Sequence, residues 1–134
     1  NLCRMPEIEN ASFDAVVSLS SLEHIPLDML PPALSELERV LKPQARMAIT
    51  TSATDAEETW FHEPSKGNCF SPKGLANLFR AQDVAELSAI EILEKYRKSN
   101  YLRNNLPAFY HASGNNGMPW GEWNPSYVPV GIWR

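Results

Sequence analysis

Two runs leave this chain few folds to choose from. They are Phe13 to Ile25 (Phe-Asp-Ala-Val-Val-Ser-Leu-Ser-Ser-Leu-Glu-His-Ile) and Glu36 to Pro43 (Glu-Leu-Glu-Arg-Val-Leu-Lys-Pro). Residues 14 to 19 are almost continuously apolar, the pattern of a parallel strand covered on both faces. Asp14 suits a strand entry, and the polar stretch after Leu19 suits a strand exit. Asp28 and the pair Pro31-Pro32 mark a loop and a helix start, because proline suits the first helical turn and not the interior. Leu34, Leu37 and Leu41 recur at helical spacing with Val40 beside them, so Glu36, Glu38 and Arg39 are expected to face outward. Lys42 complements the C-terminal end of the helix dipole and Pro43 ends the helix. Met47 to Thr51 reads as the next strand. Strand, helix, strand in this order predicts parallel strands joined by a right-handed crossover, hence an α/β fold.

Further along, Ser52 to Phe70 reads as a long connecting segment with charges and the aromatics Trp60 and Phe61. Ser71-Pro72 reads as an N-cap followed by proline at the first helical position, with Leu75, Leu78 and Phe79 on one face of the helix. Val84 to Leu93 also contains helix formers, but a helix followed by a strand fits the alternating pattern better. Residues 96 to 126 show no sustained period, and a segment of that kind inside a domain is functional or disordered. Tyr127 to Arg134 reads as a final strand, with Val128, Val130 and Ile132 on one side. Pro129 places that strand near an edge or delays its start.

A length of 134 residues allows one domain at most, large enough for a modest core. The net charge of −4 weighs against a dedicated nucleic-acid surface, which needs a basic footprint. Lys95, Arg97, Lys98 and Arg103 read as a solvated face rather than a phosphate site. Cys3 and Cys69 form no disulfide framework and no metal quartet, and free thiols in a reducing compartment are simpler than a bridge between them. No apolar run approaches a membrane span and no signal pattern opens the chain, so neither a membrane nor a nucleic acid is expected as partner, and a cytoplasmic setting is. The chain opens on Asn1 rather than Met and reads as an excerpt.

In open α/β sheets, ligands bind beyond the carboxyl ends of the strands. Ser18 to Ser21 lie there for the first strand and Thr51 to Ala53 for the second, and their small side chains let backbone groups approach a ligand closely. Four stretches carry a resemblance by joint order and spacing: Met5-Pro6, Ser12-Phe13-Asp14, Leu22-Glu23-His24-Ile25 and Arg39-Val40-Leu41-Lys42-Pro43. Together they resemble the class I S-adenosylmethionine-dependent methyltransferases of the type 11 kind. The resemblance covers residues 1 to about 52 and the remainder in outline.

It implies a Rossmann-like methyltransferase sheet of which this chain is the C-terminal half: parallel strands, crossover helices and an antiparallel final strand. Residues 1–134 would be a partial domain, with 1–52 bearing the motifs and 53–134 holding acceptor-side loops and C-terminal strands. The resemblance implies that Asn1 accepts from the adenine amino group and that the Leu2 backbone amide meets the adenine ring. It also implies that Ser18, Leu19 and Ser20 line the methionine part of S-adenosylmethionine, while segments 53–70 and 105–125 shape the acceptor site. Two departures stand out. Gln44-Ala45 replaces a Gly-Gly turn, which must avoid positive φ or strain a residue, and the spacer Glu7 to Ala11 is one residue longer than the family pattern. No Gly-x-Gly-x-Gly follows a strand and no acidic residue is placed to hold a ribose, so the chain offers one wall of a cofactor site.

Glu23-His24 resembles a pair found near the reacting centre of relatives that make cyclopropane lipids, although a His at a strand exit more often packs or orients. His62 and His111 read as surface loop residues and make no zinc site. Trp60, Phe61, Phe70, Trp120 and Trp123 suit an acceptor pocket and a core cover equally. Ser18, Ser20 and Ser21 lack the Gly-x-Ser-x-Gly elbow of a hydrolase. Methyl transfer needs alignment rather than a covalent intermediate, so no catalytic residue is assigned and no metal is expected. The reading is an enzyme fragment acting on a small-molecule acceptor. Its alternative is a non-catalytic α/β module, or a degenerate remnant, that forms a homo-oligomer through an exposed sheet edge.

Overall fold

The computed structural model describes residues 1–63, 65–79, 89–105 and 126–133. The elements are β1 (Phe13–Leu19), a 3-10 turn (Leu22–His24), α1 (Leu30–Val40), β2 (Leu41–Ala53), β3 (Trp60–His62), β4 (Gly67–Cys69), α2 (Pro72–Phe79), α3 (Ala89–Lys98) and β5 (Val128–Trp133). A three-stranded sheet has the order β1-β2-β5, with β1 parallel and β5 antiparallel to β2. The α/β class, the parallel pair and the antiparallel final strand are as the sequence predicts.

Register decides which residues meet. Ser18 lies opposite Ile49, and Ile49 opposite Ile132. Side chains alternate across a strand, so Met47, Ile49, Thr51 and Ala53 share one face with Val128, Val130 and Ile132, and all seven are buried. On that side α1 contributes Leu30, Leu34 and Leu37, and Leu22, Phe70, Leu75 and Leu93 complete the cluster. Each such side chain contributes about 1.5–3 kcal/mol on full burial. The other face is different. Phe13, Val17 and Leu19 are 44%, 67% and 66% exposed. The expectation that β1 is covered on both faces is therefore corrected: among the described residues it is an edge strand with one face open. An apolar run reports that a strand wants cover, whereas the cover itself comes from other elements.

Helix α1 carries Pro31 and Pro32 in its first turn and ends at Val40, with Leu41 already extended as the first residue of β2. Leu41 is thus strand, not helix. Nor do Glu36 and Arg39 face outward, since both turn onto residues 5–10. Pro43 falls in an irregular stretch of β2, where pairing jumps from Phe13↔Leu41 to Ala15↔Arg46. There Gln44 has φ 66°, so the turn lacking glycine does strain a residue.

Ser71 caps α2 as expected, its Oγ accepting from the Gly74 N–H at 3.1 Å. Ala89–Lys98 is helix where the stretch up to Leu93 was expected to be strand, and 84–88 lie outside the described residues. Leu93 is fully buried with Ile92 and Tyr96 packed around the same cluster, so helical spacing wins over the imperfect alternation. The expected loop from Ser52 to Phe70 contains the hairpin β3–β4, tied to the end of β2 by the Ala53↔Phe70 bridge. β5 buries Val128, Val130 and Ile132 on one side, as the sequence predicts, and exposes Pro129 on what is, among the described residues, an outer strand. Among the described residues no helix is long and apolar enough to cross a membrane.

Candidate functional site

The strand exits define the site. At the end of β1 the chain turns sharply: Ser20 has φ 44°, its N–H donates to Thr50 O and Thr50 Oγ1, and Ser21 Oγ donates to Leu19 O. This turn leaves Leu19 as an exposed lip above β2. Ser18 points to the helix side, half-buried, with its Oγ buried and without a partner among the described residues. Thr51 Oγ1 and Glu23 Oε2 share that condition.

Residues 1–12 form a strap alongside α1. Cys3 Sγ reaches Met29 O at 3.6 Å, just before the helix starts. Met5 N–H donates to Glu36, Arg39 donates to the Met5 and Ile8 carbonyls, and Ser12 N–H donates to Val40 O. The strap therefore runs from the beginning of α1 to its end. Since α1 begins beyond the carboxyl end of β1, Asn1 and Leu2 stand at the same end of the sheet as Ser18, Leu19 and Ser20. Both are exposed. Asn1 forms a local turn, its Oδ1 accepting the Cys3 N–H at 3.0 Å and its carbonyl accepting the Arg4 N–H.

The hairpin closes the site from the other direction. Asn68 is buried and donates from Nδ2 to Glu23 O and Ile25 O at 3.0 and 2.9 Å, pinning the exit loop to β4. His24 Nδ1 lies 2.9 Å from Lys66 O, a contact that orients the ring. A Cβ on Gly67 would approach the His24 ring to 3.3 Å, so a larger residue there would require the ring to shift by a few tenths of an ångström. His62 is only 5% exposed and corrects the expectation of a surface histidine. It packs against Trp60 and Tyr127 with ring centroids 5.6 and 5.0 Å away, and Ser65 Oγ lies 2.7 Å from its Nδ1. Burial lowers its pKa, favouring the neutral ring. Burial, and then the nearby charge of Glu23, push the Cys69 thiol up to about 12. Both cysteines are free.

Of the aromatics singled out, Phe70 is core, Trp60 is half-buried and Phe61 is exposed at the hairpin. Trp120, Trp123 and His111, and the acceptor segment 105–125 apart from Asn105, lie outside the described residues. Sequence reasoning missed Asn68 and the Glu36–Arg39 pair. A lone Asn in a presumed loop carries no signal, and the pair carried only an i,i+3 spacing. A cavity of about 490 Å³ lined by Asn10, Arg39, Leu41 and Lys42 opens at the amino end of the sheet, remote from the strand exits.

Residues 1–49 match the family described as a methyltransferase domain. No curated protein matches the chain significantly. Among solved structures, the chain is similar to the [4+2]-cyclase SpnF, with a TM-score of 0.59 and 17% identity over 99% of this chain and 52% of that one. It also aligns with a putative sarcosine dimethylglycine methyltransferase from Galdieria sulphuraria, with a TM-score of 0.47 and 17% identity over 99% of this chain and 56% of that one. The chain spans about half the length of these solved structures.

Proposed function

We propose that this chain, which carries a class I methyltransferase fold, is the C-terminal half of a domain that moves a methyl group from S-adenosylmethionine to a small-molecule acceptor. The observation that carries the reading is the arrival of residues 1–2 and the exit 18–20 at one end of the sheet. These are the two stretches to which the family resemblance assigns cofactor contacts.

The residues present fit one side of such a cofactor. Asn1 Oδ1 spends one lone pair on the Cys3 N–H and keeps another for an amino group. Leu19 offers an apolar lip, and the left-handed turn at Ser20 keeps the exit open. The sulfonium supplies an already activated methyl group when bound. What remains for the protein is to hold nucleophile, methyl and sulfur in line and to exclude water. The chain's share of that task is orientation, with the exit loop held by Asn68 and the hairpin carrying Trp60 and Phe61 toward the acceptor side. A reducing, cytoplasmic setting for the two free thiols belongs to the same proposal.

Calorimetry with S-adenosylmethionine and its demethylated product tests the reading. One wall should bind either ligand more weakly than about 1 μM. Sub-micromolar binding to the monomer would overturn the half-domain account. Because the fold is shared with a protein described as a cyclase, the decisive activity readout is transfer of a labelled methyl group, measured on the chain expressed together with its upstream coding sequence.

A second reading rests on Phe13, Val17 and Leu19, which stand exposed on the face of an edge strand. On that reading the chain is a non-catalytic module, or a remnant of the fold, that forms a homo-oligomer through β1.

A further inference from the structure

We infer that Glu36 and Arg39 are the positioning pair for the adenine side of the cofactor site. They lock the strap to α1 and thereby set where Asn1 and Leu2 stand. This rests on the reading of Asn1 and Leu2 given above.

The hydrogen bonding of Arg39 is complete. A guanidinium has five N–H donors, and here Nε and Nη2 donate to the two Glu36 oxygens, Nη2 also to Met5 O, and Nη1 to Ile8 O and Asn10 Oδ1, at 2.7 to 2.9 Å. Glu36 Oε1 in turn accepts the Met5 N–H at 2.7 Å. Two backbone bonds extend the seam, from Ala11 N–H to Arg39 O and from Ser12 N–H to Val40 O. A planar fork of this kind has low tolerance for displacement, because several acceptors must stay coplanar with it.

The segment so held does little for the core. None of residues 1–12 is buried, and Met5 is the one among them that packs on the apolar cluster, from a half-buried position. A network that saturates an arginine in order to order an exposed strap is spent on location. The far end of that strap carries Asn1 and Leu2, next to Cys3, whose Sγ reaches Met29 O just before α1 starts. Glu36 and Arg39 lie on the α1 surface, away from those exits, and act only through the strap. Lysine can replace Arg39 only in part, since three donors on one nitrogen cannot serve five acceptors spread around the edge of a plane.

The experiment is a titration of the whole chain with adenosine and with S-adenosylhomocysteine, followed by amide NMR, in the parent, Arg39→Ala and Arg39→Lys forms. In the parent, the Leu2 and Cys3 amides should shift on titration. In Arg39→Ala, affinity for both ligands should fall by a similar factor, of the order of tenfold. The Ile8 amide should lose hydrogen-exchange protection there while the β1 and β2 amides keep theirs. Arg39→Lys should fall between the two, which keeps the test open if the alanine form does not fold. An additional Asn1→Ala change should shrink the effect of Arg39→Ala, because both act through one contact. If the parent shows no shift at Leu2 and Cys3, the reading of Asn1 and Leu2 is wrong and the pair loses its role with it. If the parent shifts and both Arg39 variants bind as tightly, the cofactor reading survives and the positioning pair does not.

Discussion

Among the described residues, four other than glycine stand at positive φ: Ala11 at 54°, Ser20 at 44°, Gln44 at 66° and Lys66 at 53°. Each costs roughly 1 kcal/mol or more relative to glycine's freedom there. Ser20 turns the strand exit, where left-handed geometry shapes the site. Gln44 sits at the other end of the sheet, in the stretch where pairing with β1 is irregular, and serves no contact that needs glutamine in this conformation. Gln44→Gly should therefore raise stability by about 0.5–1 kcal/mol in urea denaturation, the relieved strain exceeding glycine's added entropy in the unfolded chain. The strain was legible from the sequence because only one residue and one turn are involved. The environments of His62 and Cys69 were not legible. Whether a histidine three residues into a short strand is buried depends on Trp60, Ser65 and Tyr127 arriving around it.

Among elements, helix α1 and the pair β1 and β2 were legible because each follows a local period. The hairpin β3–β4 was not, since three-residue strands are too short to show one. The strap belongs to this scale too, and its link to α1 responds to pH. Arg39 and the Met5 N–H hold Glu36 down from 4.5 to about 2, with side chains 16% exposed for Glu36 and 28% for Arg39. The native carboxylate thus binds fewer protons than the unfolded one between those values. Its stabilisation is fully present above pH 4.5 and is lost as pH falls from 4.5 through about 2. Glu36→Gln should lower stability at pH 7 and flatten the acid limb across that window, measured by thermal melts at successive pH values. A parallel acid limb in the two proteins would mean that other carboxylates carry it.

For the whole molecule, the open face of β1 is the consequential feature. Edge strands with exposed apolar side chains pair with one another unless something covers them. The chain should self-associate between roughly micromolar and millimolar concentration, and Leu19→Lys should restore the monomer in sedimentation velocity. A monomer throughout that range in the parent would remove the oligomer reading. The sequence by itself determined the class of fold, the order and direction of β1, α1 and β2, the capped start of α2 and the buried side of β5. Hydrophobic period, proline and capping side chains act within a dozen residues, so they can be read without a structure. Only the tertiary structure decided that, among the described residues, β1 has one bare face and that residues 89–98 form a helix. It also decided that Asn68 pins the exit loop and that Glu36 and Arg39 hold residues 5–10 against α1. Those outcomes depend on groups far apart in the chain meeting at hydrogen-bond distance, and no local pattern encodes such a meeting.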